Sequence, residues 1–128
     1  MNPFFAVLSA AYIFGLFFFA DSSVVSRIAE FNPYSLLHIP LYGFLTILLL
    51  LTFIAKPGTN LAPRYQAAAW IAVAVGVIDE YHQAFIPIRE GSVTDVFLDI
   101  LGVGLVMILA WRVPPHRWIK PFGKLRGY

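Results

Sequence analysis

Apolar residues fall into four long blocks, residues 3–20, 36–55, 65 to about 85 and 93–111, and most of the charge lies in the short stretches between them. At a rise of about 1.5 Å per residue each block covers roughly the 30 Å hydrocarbon layer of a bilayer, the first with help from its flanking residues. The pattern predicts an all-α fold: an integral membrane bundle of four transmembrane helices. The first connection adds a short interfacial helix, because Val24, Val25, Ile28 and Phe31 recur at helical spacing. Ser22 or Ser23 can cap its start, and Asn32-Pro33 can end it. The chain divides into a membrane domain over residues 1–112 and a basic tail over 113–128. Pro114, Pro115 and Pro121 interrupt that tail, and Trp118 and its cations suit anionic headgroups. The first block is read as a span, not a secretory signal, because no Lys or Arg precedes it and Phe18-Phe19-Ala20 is a poor cleavage site.

Composition agrees with lipid as the solvent: 59% of the 128 residues are hydrophobic and only 12% charged, too few to cover a soluble domain of this size. The absence of cysteine excludes disulfides, thiolate metal sites and thiol nucleophiles. A net charge of +2 gives no footprint for nucleic acid, so membrane lipids are the expected partners.

Four spans put Lys56, Arg64, Arg112, Arg117, Lys120, Lys124 and Arg126 on one side, which the positive-inside rule assigns to the cytoplasm together with both termini. The location implied is the cytoplasmic membrane. All seven acids, Asp21, Glu30, Asp79, Glu80, Glu90, Asp95 and Asp99, then fall in the outer connections or the outer halves of spans.

Ionisable side chains within a span are costly to bury and usually face a bundle interior, paired with one another. In the third block, His82 and Gln83 follow Asp79 at i+3 and i+4 and share its face, while Glu80 points to a neighbouring sector. In the fourth, Asp95 and Asp99 are four apart, with Gly102 three further on as a close-approach site. Counting up from Lys56, Tyr65 and Arg112 along straight helices sets Tyr42, Asp79 and Asp99 about 20 Å up, and His38, His82, Gln83 and Asp95 above them at about 25 Å. Arg89, in the tight connection before Ser92, could grip a phosphate or carboxylate in bidentate fashion or neutralise the acids. Ser92 and Asp95 also have the spacing of a capping box, a local role sufficient for Ser92.

Four carboxyls without a matching number of cations favour a functional site over a structural one. His38 and His82 with carboxylates would suit zinc or manganese, but the spacing matches no recognised metal signature, and the expectation is a site without a cofactor. Small residues Ala67, Ala68, Ala69, Ala72, Ala74 and Gly76 predict that the third helix packs centrally.

The string from Asp79 to Ser92, DEYHQAFIPIREGS, continuing to Asp95, Asp99 and Gly102, resembles the VanZ-like family. The segment from His38 to Tyr42 is similar to the family's His-containing second span, and Asp99 stands where many members carry Asn. The resemblance covers most of the chain. It implies a four-helix protein of the bacterial cell envelope, in a family named for a protein linked to resistance against the glycopeptide antibiotic teicoplanin. A lipid-linked molecule or a lipophilic glycopeptide is then a candidate ligand.

Two functions follow from these residues. In one, an outward-facing acidic pocket binds and processes a lipid or lipid-linked amphiphile. Asp79 or Glu80 acts as general base and Asp95 or His82 as acid, while His38, Tyr42, Gln83, Arg89, Ser92 and Asp99 bind substrate. In the other, the protein is not an enzyme and serves lipid or antibiotic binding, transport or an accessory role. A third, structural reading makes the polar residues a clasp between the third and fourth spans.

Overall fold

A computed structural model describes residues 2–20, 37–53, 60–85 and 93–118, and all regular structure among them is helical. Four long helices, α1 (Pro3–Ala20), α2 (His38–Thr52), α3 (Ala62–Gln83) and α4 (Val93–Arg112), are followed by one turn of helix, α5 (Pro115–Trp118). Each long helix lies on one of the four apolar blocks. The proposed interfacial helix at 21–36 lies outside the described residues.

The helix ends have local causes. Asn2 caps α1, its Oδ1 accepting from the Phe4 and Phe5 amides at 3.1 and 3.4 Å, with Pro3 at the first helical position. Pro40 sits in the first turn of α2, where its missing N–H leaves no helical partner unmet. Asn60 Oδ1 accepts from the Ala62 amide at 3.1 Å, and Pro63 lies in the first turn of α3. Pro114 and Pro115 stop α4 shortly after Arg112.

The central helix is α2, not α3 as the run of small residues predicts. It packs against α1, α3 and α4, and ten of its fifteen residues are buried, including the unbroken stretch Leu48–Thr52. Of the small residues on α3, Ala68, Ala72 and Gly76 are buried while Ala74 is exposed. Spaced four apart, these three let α3 approach its neighbours along one stripe only. Tyr42, Leu45, Leu49 and Leu50 of α2 meet Ala68, Ala72 and Val75 of α3 and Val103 and Ala110 of α4 in the main core. The buried hydroxyls of α2 bond back along the helix, Thr46 to the Tyr42 carbonyl at 2.7 Å and Thr52 to the Leu48 carbonyl at 2.8 Å. At the basic end of the bundle Trp118 packs on Phe5, Leu48 and Leu51, so the start of the tail folds back onto the helices.

The outer surface is apolar on every long helix: Phe14 and Phe18 of α1, Phe44 of α2, Trp70 and Ile78 of α3, and Phe97, Leu105 and Ile108 of α4 are all exposed. By length and composition α4 can cross a membrane, and α1 and α2 are apolar over shorter lengths.

The tightest crossing joins α2 and α4, which run in the same direction. A Cβ at Gly102 would collide with the Ile39 carbonyl oxygen and lie 3.2 Å from the Gly43 amide nitrogen, and one at Gly43 would lie 3.4 Å from the Val106 side chain. Glycine at both positions lets the two backbones touch. That contact brings the first turns of α2 and α4 level with each other, and the polar residues lie there.

Candidate functional site

Three helices bring ionisable groups together at the end of the bundle where α2 and α4 begin and α3 finishes. His38, Tyr42, Asp79, Glu80, Asp95 and Asp99 are all buried, none more than 9% exposed. From α2, the His38 and Tyr42 rings are one turn apart and nearly parallel, with centroids 6.2 Å apart and planes 2° from parallel. Each ring meets a carboxylate on a different helix. His38 Nδ1 is 2.7 Å from Asp99 Oδ1 on α4, and the Tyr42 hydroxyl donates to Asp79 Oδ2 on α3 at 2.9 Å.

Two further carboxyls flank the imidazole. Glu80 Oε1 lies 3.8 Å from His38 Nδ1, and Asp95 Oδ2 lies 3.8 Å from Nε2. One ligand atom from each of His38, Glu80 and Asp95 lies within 4.8 Å of the other two, so these residues could hold a metal ion. The structure therefore contains a candidate metal cluster that chain spacing alone did not mark. Its members come from three helices, so no local motif encodes it.

The close approach of α3 makes room for Asp99. A Cβ at Gly76 would lie 2.8 Å from Asp99 Oδ2 and 3.2 Å from Asp99 Cβ, so only glycine leaves this carboxylate its present position. Asp99 Oδ2 and Asp79 Oδ1 are buried and have no hydrogen-bond partner among the described residues.

The expected two polar layers merge at Asp99, which bonds a histidine assigned to the layer above. The two layers are one helical turn apart, a step that the His38 and Asp99 side chains span across the close crossing of α2 and α4. Glu80 also departs from its expected separate sector. α3 meets α2 and α4 at this end, and its buried face is wide enough for two successive residues to turn inward, Asp79 to Tyr42 and Glu80 to His38.

His82 is set apart from the imidazole of His38. It packs edge-on against Phe17 of α1, with centroids 5.8 Å apart, and its buried Nδ1 has no hydrogen-bond partner among the described residues. Arg89 and Ser92 lie outside the described residues, as does the side chain of Gln83. One polar contact that the sequence does not announce is the Tyr12 hydroxyl, which donates to the Leu41 carbonyl at 2.7 Å and ties α1 to the start of α2.

Charge separates along the bundle. Among the described residues, all four acids lie at the His38 end, while Arg64, Arg112 and Arg117 lie at the other, where Arg64 donates to the Phe53 carbonyl at 3.2 Å.

Fold and site together define a class: a helical protein with an apolar exterior and a buried carboxylate–imidazole cluster near one end. The chain belongs to the VanZ/LLP1 family, whose model matches residues 4–114 and so takes in all four long helices and the whole cluster. Neither a comparison with curated proteins nor one with solved structures gives a match.

Proposed function

We propose that this VanZ-family member is a multi-pass envelope protein that crosses the cytoplasmic membrane four times with both termini in the cytoplasm, and that its buried cluster binds and processes the headgroup of a lipid or lipid-linked amphiphile. The observation that carries this reading is the burial of three carboxyls around one imidazole and of a fourth, Asp79, against Tyr42, inside a bundle whose exterior is apolar. Burying charge at this density is expensive, and a hydrogen-bonded clasp does not need four acids. The position of the cluster at the end opposite the arginines supports a site level with outer-leaflet headgroups.

In this reaction Asp79 or Glu80 removes a proton from water, the resulting nucleophile attacks the headgroup linkage, and Asp95 or His82 returns a proton to the leaving group. Tyr42 orients Asp79 through its hydrogen bond, and Arg89 holds headgroup phosphate or the developing negative charge. An altered susceptibility to glycopeptide antibiotics would then be a consequence of changed envelope lipids.

The Tyr42–Asp79 and His38–Asp99 bonds link α2 to both α3 and α4, and so favour the clasp as the second reading. Native mass spectrometry and lipidomics of the gently solubilised protein, before and after incubation with extracted envelope lipids, separate the possibilities. A product of new mass that Asp79→Asn fails to form supports processing. A bound but unaltered lipid replaces it with binding or transport, and no bound lipid in a variant that merely unfolds earlier replaces it with the clasp.

A further inference from the structure

We infer that His38, Glu80 and Asp95 form a site for one divalent transition-metal ion, zinc or manganese, with Asp99 as the residue that orients the imidazole. The inference goes beyond the headgroup proposal and stands without it; with Glu80 and Asp95 on the ion, Asp79 is left as the base and His82 as the acid of that reaction.

The donor set is of mixed type, one imidazole nitrogen and two carboxylate oxygens, which suits zinc or manganese better than the all-oxygen shells of calcium and magnesium. Its dimensions are close to those required. Donors about 2.1 Å from a tetrahedral ion lie about 3.4 Å apart. Here Asp95 Oδ2 is 3.8 Å from Nε2, Glu80 Oε1 is 3.8 Å from Nδ1, and one ligand atom from each residue lies within 4.8 Å of the other two, so the carboxylates must move inward around one ring nitrogen to close the shell. Water completes the shell.

The surroundings match what such a ligand needs. A metal-binding imidazole generally donates its other N–H to a carboxylate, which selects the tautomer and fixes the ring plane. Asp99 Oδ1 at 2.7 Å from Nδ1 can accept that proton, leaving the Nε2 lone pair on the side of Asp95. Glu80 approaches from the other edge of the ring, and its longer side chain can reach across to the ion. Tyr42 stacks parallel to the imidazole one turn below.

The neighbouring acids supply a second, independent observation. Asp99 Oδ2 and Asp79 Oδ1 belong to residues only 1% and 4% exposed, face this same polar layer, and have no hydrogen-bond partner among the described residues. Among those residues every Arg lies at the opposite end of the bundle. Buried carboxyls in such numbers are neutralised by protonation or by a cation, and the His38–Glu80–Asp95 set is where a divalent one fits.

The test is metal uptake by the full-length, tag-free protein in detergent, stripped with chelator and titrated separately with zinc and manganese. Stoichiometry is read by elemental analysis and affinity by competition with a chromophoric chelator. One equivalent of either ion per chain is expected. Affinity should fall at least tenfold in His38→Ala, Glu80→Gln and Asp95→Asn, fall tenfold to a hundredfold in Asp99→Asn, and stay unchanged in His116→Ala, which removes a histidine from the opposite end. Uptake of neither ion overturns the site. So does uptake that survives all three ligand substitutions, which marks an adventitious ion only. Circular dichroism identifies any variant that fails to fold, and the near-isosteric Glu80→Gln and Asp95→Asn then carry the result. The titration contains no lipid, so it can fail while headgroup processing stands, and the reverse.

Discussion

His38 on α2 and Asp99 on α4 are 61 positions apart in the chain, yet Nδ1 of one lies 2.7 Å from Oδ1 of the other, both side chains almost fully buried. The contact joins the two helices that run parallel through the tightest crossing of the bundle, and it sets the direction of the imidazole on which the rest of the cluster converges.

If the pair is coupled, its members are not independent. In chelator, which removes any contribution from metal, His38→Leu and Asp99→Leu should each lower unfolding stability in detergent by about 1–3 kcal/mol, because each removes the other's buried hydrogen-bond partner. The double variant should lose less than the sum, with a coupling of roughly 0.6–1.7 kcal/mol, from the average to the largest value found for interhelical hydrogen bonds in a membrane protein. Strict additivity would mean that the contact is geometric only.

Gly102 and Gly104 are two residues apart on α4 and answer differently to the same substitution. Gly102→Ala drives a methyl group into the Ile39 backbone and should cost about 1–3 kcal/mol as the helices part. At Gly104 a Cβ meets nothing within 4 Å, so Gly104→Ala should be neutral or gain up to about 1 kcal/mol from helix propensity. Thermal unfolding of the two variants side by side measures the difference, and equal effects would remove the close crossing as a determinant of the fold.

Because the chain has no cysteine, single introduced thiols report topology without background. Phe85 at the acidic end and Val113 at the basic end are both exposed. A membrane-impermeant maleimide should label Phe85→Cys in intact cells and Val113→Cys only after lysis. Labelling of both from outside, or the reverse order, would contradict four spans with cytoplasmic termini.

The positions of the helices could be read directly from the chain. Four apolar blocks bounded by Asn, Pro and charged residues mark α1 to α4 to within a few residues, because helix formation depends on contiguous composition and on local capping at Asn2, Asn60 and Pro114. The same local logic flags Asp79, Glu80, Asp95 and Asp99, since an acid within an apolar run is conspicuous whatever the fold. Periodicity also places Asp95, Asp99 and Gly102 on one face of α4.

Which of these groups meet was decided only in three dimensions. The contact at Gly43 and Gly102 brings α2 and α4 close enough for His38 to bond Asp99 across the two expected layers. Gly76 opens the space that the Asp99 carboxylate fills, the meeting of α3 with both α2 and α4 turns Glu80 inward beside Asp79, and Phe17 holds His82 apart. Sequence alone determined the elements and the supply of polar groups, because those follow from nearest neighbours along the chain. Their pairing depends on the rotation and relative height of helices separated by tens of residues, and those are set by where small residues permit backbones to touch.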